Sequence, residues 1–299
     1  MENFLMIVLA LLLGMALQRL GVMPPDGALV LNRFVIHVSL PALVLTRVPQ
    51  IVFSRDLWAP LLTPWILLVI SAASILFLVR IFSWSRPVAG VLLLVVPLGN
   101  TSFLGIPMVQ AFFGPSGVAT ALLYDQIGTF SALATYGTFI MAIYGDASQP
   151  TPGSILKKIV TFPPFMALLA ALAVRSGTIP PPLEHVLETL ANTLVPVVMV
   201  AVGMQFRLLL PRTMLLPLTM ALGFKLLVSP LLAMALCHLA GWSGLTAQIT
   251  IFESAMPPMI TAGALAIAAN LAPELAAAAV GLGILLSFAT LPLVYSWIA

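Results

Sequence analysis

Apolar residues run in long blocks along this chain, and short stretches of turn-forming residues separate them. Each block approaches the roughly 20 apolar residues that a bilayer-crossing helix needs. The pattern predicts ten helices, at 3–20, 29–48, 57–82, 88–113, 117–144, 157–175, 182–206, 213–240, 245–270 and 273–298. Glycine and proline mark most of the separators: Gly21 to Gly27, Pro49, Ser85–Arg86–Pro87, Gly114 to Gly117, Gln149 to Gly153, Gly177 to Pro182, Pro211, Gly241 to Gly244 and Pro273. Ser116 and Glu274 each follow a proline, where a helix start needs an acceptor or a negative charge. The expected fold class is an all-α polytopic membrane protein with no soluble domain left over.

Composition sharpens this expectation. Of 299 residues, 61% are hydrophobic and 7% charged, where soluble domains carry about 25% charged residues. A soluble surface cannot be built from so few charges. Soluble enzymes, nucleic-acid partners and disordered chains are thereby excluded. The net charge of +3 is too small and scattered for a polyanion binder. The single cysteine, Cys237, excludes an intramolecular disulfide and a cysteine metal cluster. Glu2 and the lack of a basic residue before the first apolar run make Phe4 to Leu17 a retained first helix, not a signal peptide. Basic residues then set orientation. Eight follow odd-numbered helices (Arg19, Arg33, Arg80, Arg86, Lys157, Lys158, Arg207, Arg212), against three on the other side (Arg47, Arg55, Arg175). The expected topology is multi-pass in the inner or plasma membrane, with both termini extracytoplasmic.

The two halves of the chain echo each other. Helix two carries Pro41 in its middle and helix seven carries Pro196. Helix four is expected to break around Gly105–Ile106–Pro107, and helix nine around Met256–Pro257–Pro258. A Pro-led turn, at Pro115 or Pro273, and a long last helix follow each break. Ten helices divide into residues 1–148 and 149–299, five helices each, and an odd number inverts the second copy. Secondary transporters use this plan, with sites at paired discontinuous helices near the midplane. A broken helix is tolerated in lipid only where it is buried or lines a cavity. Two matched breaks supply helix N-termini that attract an anion and C-termini that hold a cation.

Ionisable groups at mid-membrane cost roughly 2.5–3.5 kcal/mol each and usually mark function. Three stand out: Asp125 in helix five, Lys225 in helix eight and Glu253 in helix nine. Glu253 lies four residues before Pro257; Asn100, Thr101 and Ser102 hold the comparable place before Pro107. These groups are expected to converge where helices four and nine cross. If all three charges are present their sum is −1, and such a buried cluster takes up one proton or one metal cation. The plainer reading is a structural pair between Lys225 and one carboxylate, with the other protonated. Met256 is placed near the site by its position in the break.

Enzyme readings fail on missing parts. Tyr124–Asp125 matches half of an intramembrane aspartyl protease signature, but Ile284 follows Gly281–Leu282–Gly283 where the second aspartate belongs. Gly114–Pro115–Ser116–Gly117 fits a rhomboid serine motif but sits in a turn, with no membrane histidine clearly placed to serve it. No phosphate-cradling Gly-x-x-x-x-Gly-Lys-Ser loop is present, so ATP does not drive the protein directly. A non-enzyme without a cofactor is expected.

Several motifs resemble those of the auxin efflux carrier family, which includes bacterial malonate and malate permeases. Leu31–Asn32–Arg33–Phe34–Val35 and Ser39–Leu40–Pro41–Ala42–Leu43 resemble its second helix. Gly99–Asn100–Thr101–Ser102–Phe103–Leu104–Gly105–Ile106–Pro107 is similar to its fourth-helix crossover motif. Ala255–Met256–Pro257–Pro258 resembles its ninth-helix break, and Leu285 to Pro292 its last helix. The resemblance implies the ten-helix inverted repeat of the bile-acid sodium symporters. Helices 1, 2, 6 and 7 would form a scaffold, and helices 3–5 and 8–10 a mobile core with broken helices four and nine crossing. It implies elevator-type alternating access by a homodimer, with small organic anions as substrates. Asn100 matches the crossover asparagine that contacts the substrate carboxylate. Pro107, Pro257 and Pro258 match the break prolines. Glu253 with Met256 resembles the symporters' sodium-binding glutamate stretch, making Glu253 and Asn100 candidate Na⁺ ligands. The short stretch from Asp146 to Lys158 replaces the long loop of plant members.

The substrate candidates are therefore Asn100, Thr101, Ser102, Pro107, Met256, Pro257 and Pro258. The coupling candidates are Asp125, Lys225, Glu253 and Asn100, with Na⁺ or H⁺ as the ion. The expected function is secondary active transport of a small mono- or dicarboxylate. A potential-driven uniporter, a receptor and a channel are the alternatives.

Overall fold

The computed structural model describes residues 2–51, 54–145, 151–173, 179–205 and 214–299. Arg175, Arg207 and Arg212, three of the residues in the charge count, lie outside the described residues, as do Pro211 and Asp146. Among the described residues all regular structure is helical, and the one β contact is an isolated antiparallel bridge between Gly99 and Pro258.

Among the described residues, six helical stretches are long and apolar enough to cross a bilayer: Gly27–Gln50, Arg55–Phe82, Pro115–Tyr144, Pro181–Gln205, Leu215–Ala240 and Pro273–Ile298. A seventh is Pro152–Val160 with Pro163–Ala173, if that pair, bent by 66°, counts as one span. The apolar block predicted as helix one is the helix Glu2–Arg19. Those predicted as helices four and nine appear as shorter pieces, Arg86–Val95 with Thr101–Phe113, and Gly244–Ser254 with Ile260–Ala268.

One rule explains several local irregularities. Proline clashes with the carbonyl four residues back and lacks an N–H. Among the described residues the chain widens in three places into a π-helical turn just before a proline: Val35–Ser39 before Pro41, Thr101–Gly105 before Pro107, and Phe224–Val228 before Pro230. Each time, the residue four back (His37, Phe103, Leu226) lies inside the widened turn. The helix absorbs the proline and continues. The expectation of a break at Gly105–Ile106–Pro107 is thereby corrected. Pro107 sits buried in the first turn of the helix Ile106–Phe113, directly after a π turn. The chain unwinds earlier, between Val95 and Thr101, at Pro97–Leu98–Gly99–Asn100. Helix nine does open where expected, between Ser254 and Ile260. Ser116 is not a cap: its hydroxyl donates to the Phe113 carbonyl at 3.4 Å.

The chain divides into two compact units. The first gathers Met1–Phe53, Ser102–Leu122 and Lys157–Phe206. Within it the helices Glu2–Arg19 and Leu194–Gln205 touch backbone to backbone. Gly14 lies on the Val200 carbonyl and Gly203 on the Leu11 carbonyl, so neither position has room for a Cβ. The two echoing proline sites also meet here: Ser39 and Thr193, shortly before Pro41 and Pro196, share a 2.7 Å hydroxyl hydrogen bond.

The second unit gathers Ser54–Thr101, Leu123–Leu156 and Arg207–Ala299. Its core is built on Ile75, Leu92, Leu94, Ala221 and Leu275, all fully buried. Gly128 leaves room for the ring of Pro64, which lets the helices Arg55–Phe82 and Pro115–Tyr144 approach closely. Two aromatic side chains spend their polar ends on backbone carbonyls: Trp65 Nε1 donates to Ile127 at 3.2 Å and the Tyr136 hydroxyl to Leu93 at 2.9 Å.

Candidate functional site

The centre of the second unit is the meeting of the two unwound segments. Pro97 and the pair Pro257–Pro258 have no N–H to give, so these segments cannot complete helical hydrogen bonding alone. They complete it across the crossing instead. The Asn100 N–H donates to the Pro257 carbonyl at 2.8 Å, and the Met259 N–H donates to the Leu98 carbonyl at 2.9 Å. Two backbone breaks that lipid would penalise thus satisfy each other. Met256, Pro257 and Pro258 are buried at this point.

Lys225 reaches the crossing from the π turn Phe224–Val228. A Cβ placed on Gly99 would stand 3.1 Å from Lys225 Nζ, so the ammonium lies against the backbone next to Asn100. Asp125 enters from a π-helical stretch, Tyr124–Phe130, and is fully buried. The Thr101 hydroxyl donates to Asp125 Oδ1 at 2.6 Å, and Gln126 Nε2 donates to Oδ2 at 2.6 Å. Both carboxylate oxygens of Asp125 are therefore held.

Glu253 differs. It is fully buried on the last turn of Gly244–Ser254, and neither carboxylate oxygen has a hydrogen-bond partner. Asp125 and Lys225 both act on it electrostatically, and it acts in turn on the buried Tyr124. The Asn100 side-chain nitrogen and Gln126 Oε1 are likewise buried without a partner. Buried polar groups of folded proteins are nearly always paired, and each exception calls for a reason. Here the exceptions sort by chemistry. Asn100 offers an unused donor, suited to an anion. Glu253 and Gln126 offer unused acceptors, suited to a cation or a proton. A small cavity of about 10 Å³, room for roughly one water, touches this cluster, lined by Gly99, Thr101, Tyr124, Lys225 and Glu253 with Pro64 and Leu67 among its apolar walls.

The residues predicted from sequence thus separate. Asn100, Thr101, Asp125, Lys225, Glu253, Met256, Pro257 and Pro258 belong to the second unit and surround the crossing or its neighbours. Ser102 and Pro107 belong to the first unit. Asn100 ends its unwound segment and Thr101 opens the helix after it, whereas Glu253 precedes its own break, so the two positions are not equivalent as their shared spacing before Pro107 and Pro257 implied. Sequence reasoning missed Pro97 and Gln126, and placed Gly99 in the crossover motif without giving it a role. The signal for Pro97 and Gly99 was a proline followed by a glycine within one apolar run. Among the described residues no cluster of three or more His, Cys, Asp or Glu side chains forms a metal site.

Comparison with known proteins agrees with a transport role. The family model described as membrane transport protein matches residues 1–295. An uncharacterized transporter of Methanothermobacter thermautotrophicus is 29% identical, covering 98% of this chain and 96% of its own length. An uncharacterized transporter of Methanocaldococcus jannaschii is 28% identical, covering 86% of this chain and 85% of its own length. With a match spanning nearly the whole sequence, the chain belongs to the membrane transport protein family, the auxin efflux carrier family that its crossover motif resembles.

Proposed function

We propose that this protein is a secondary active transporter of a small organic anion, a mono- or dicarboxylate, bound at the crossing of the two unwound segments. One observation carries the reading. The buried Asn100 amide nitrogen has no acceptor, and the Lys225 ammonium lies against the neighbouring Gly99 backbone. Two buried donors carried to one crossing suit a carboxylate. The helix beginning at Thr101 adds its positive end to the same place. Thr101, Met256, Pro257 and Pro258 shape the site, and Ser102 and Pro107 follow Thr101 along the chain.

Coupling follows from the remaining groups. Glu253 holds two unused oxygens and Gln126 one, all buried. Together with Asp125 they would hold a Na⁺ ion or a proton, whose charge offsets the excess carboxylate and links solute binding to an ion gradient. The buried Asn100 nitrogen has no partner, which supports an anion role for Asn100 over a Na⁺ role and leaves Glu253 as the principal cation ligand in this reading. We further propose that ten helices form the five-plus-five inverted repeat in the cell membrane with extracytoplasmic termini. In this reading a core of helices 3–5 and 8–10 moves against a scaffold of helices 1, 2, 6 and 7 in a homodimer.

The experiment is uptake into proteoliposomes. Labelled malonate, malate, succinate, acetate and indole-acetate are supplied with an inward Na⁺ gradient, an inward proton gradient, or a potential alone. Saturable uptake of one acid, accelerated by one of the two gradients, is the expected result. Uptake driven equally by potential alone would make the protein a uniporter. Conductance without saturation would make it a channel.

A further inference from the structure

Pro152–Val160 is a helix of nine residues with no buried position. At about 100° per residue, Ile155, Ile159, Leu156 and Val160 fall within one arc of roughly 140°. Ser154 and Thr161 lie opposite, and Lys157 and Lys158 fall one on each edge of the apolar arc. Leu156 is 61% exposed and Val160 41% exposed. A solvated helix has no use for such a face. The helix is also bent by 66° from the apolar helix Pro163–Ala173 that follows it, after the short break at Thr161–Phe162. A spanning helix tilts about 20° from the bilayer normal. A segment turned this far from one lies closer to the membrane plane than to its normal.

We propose that Pro152–Val160 is an interfacial helix that docks on anionic lipid, with Ile155, Leu156, Ile159 and Val160 sunk among the acyl chains. Lys157 and Lys158 extend from the two edges of that face to headgroup phosphates. Charge complementarity selects the occupant. Basic residues bracket an apolar face with no acidic residue in the helix, and in the topology proposed above this side meets the cytoplasmic leaflet, where anionic lipid adds to the attraction. The segment joins the predicted helices five and six, so its docking ties that connection to the bilayer surface.

The test uses the full-length protein with Leu156→Cys carrying an environment-sensitive maleimide fluorophore. Cys237 is 2% exposed and stays in place, with the unsubstituted protein as the labelling blank. The protein is reconstituted into phosphatidylcholine vesicles with or without phosphatidylglycerol, and quenching by brominated lipid is compared with quenching by aqueous iodide. Brominated lipid is expected to quench the label when phosphatidylglycerol is present. The lipid-quenched fraction should fall several-fold without it, at high salt, or in Lys157→Gln/Lys158→Gln. Lys157→Arg/Lys158→Arg should retain it. Iodide quenching in both vesicles overturns the proposal. So does lipid quenching that is indifferent to phosphatidylglycerol, which describes an apolar anchor alone. A label shielded from both quenchers overturns it in favour of a protein partner or a second copy. The comparison of the two lipids needs no lysine variant, so it stands if those variants fold poorly.

Discussion

Replacing Thr101 with valine keeps the shape of the side chain and removes one hydrogen-bond donor. That donor holds Asp125 Oδ1 at 2.6 Å, and both residues are buried. A hydrogen bond to a charged group contributes about 1.5–3 kcal/mol. For a chain of this size 1 kcal/mol corresponds to roughly 2 °C in unfolding midpoint, so Thr101→Val should lower the midpoint by about 3–6 °C. Thr101→Ser, which keeps the hydroxyl, should lower it by much less. The assay is thermal unfolding of the purified protein in detergent, repeated in an Asp125→Asn background. There the charge is gone, and the effect of Thr101→Val should shrink to about 1 kcal/mol, the value of a neutral hydrogen bond. The difference between backgrounds is the coupling energy of the pair. An equal loss in both backgrounds would refute the reasoning, because it would place the cost of Thr101→Val outside its bond to Asp125.

Other consequences are smaller in scope. Gly99→Ala puts a Cβ 3.1 Å from the mobile end of Lys225; solute affinity should weaken several-fold in uptake assays while the unfolding midpoint moves little. Gly14→Ala and Gly203→Ala drive a methyl group into a backbone carbonyl of the neighbouring helix, and overpacking of this kind should lower the midpoint by about 2–6 °C. Ser39→Ala removes the 2.7 Å bond to Thr193 and should cost about 0.5–1.5 kcal/mol. Glu253→Gln should abolish the dependence of transport on its coupling ion while solute still stabilises the protein; unchanged ion dependence would remove Glu253 from the coupling role.

The crossing was legible where composition and chemistry agree. Two adjacent prolines after Glu253 in an apolar block leave few structures other than an unwound helix, and helix nine opens there. Helix four was misread by one motif. Gly105–Ile106–Pro107 looks like a break, yet the widened turn Thr101–Gly105 absorbs Pro107. Pro97 instead becomes the unwound point because carbonyl and N–H partners wait for that segment across the crossing, at Pro257 and Met259. Those partners lie some 160 positions away in sequence, and no local pattern announces them. Asp125, Lys225 and Glu253 were visible as charges in apolar runs. That Asp125 is held on both oxygens while Glu253 is held on neither depends on Gln126 and Thr101, and only three-dimensional placement reveals it. Helix six was expected from 157, but the amphipathic turns begin at Pro152 and give way to the apolar helix Pro163–Ala173 at its double proline.

The central claim is that Asn100 and Lys225 hold a carboxylate at the crossing. It is tested most directly by ligand-induced stabilisation of three proteins: wild type, Asn100→Leu and Lys225→Met. A ligand that binds only the folded state at about 100 times its Kd adds about 2.7 kcal/mol, or roughly 5 °C here. One carboxylate of the panel should produce that rise in the wild type, and both variants, folded by size-exclusion chromatography, should lose it. The same rise in Lys225→Met and Asn100→Leu would contradict the account and move the anion site away from the crossing.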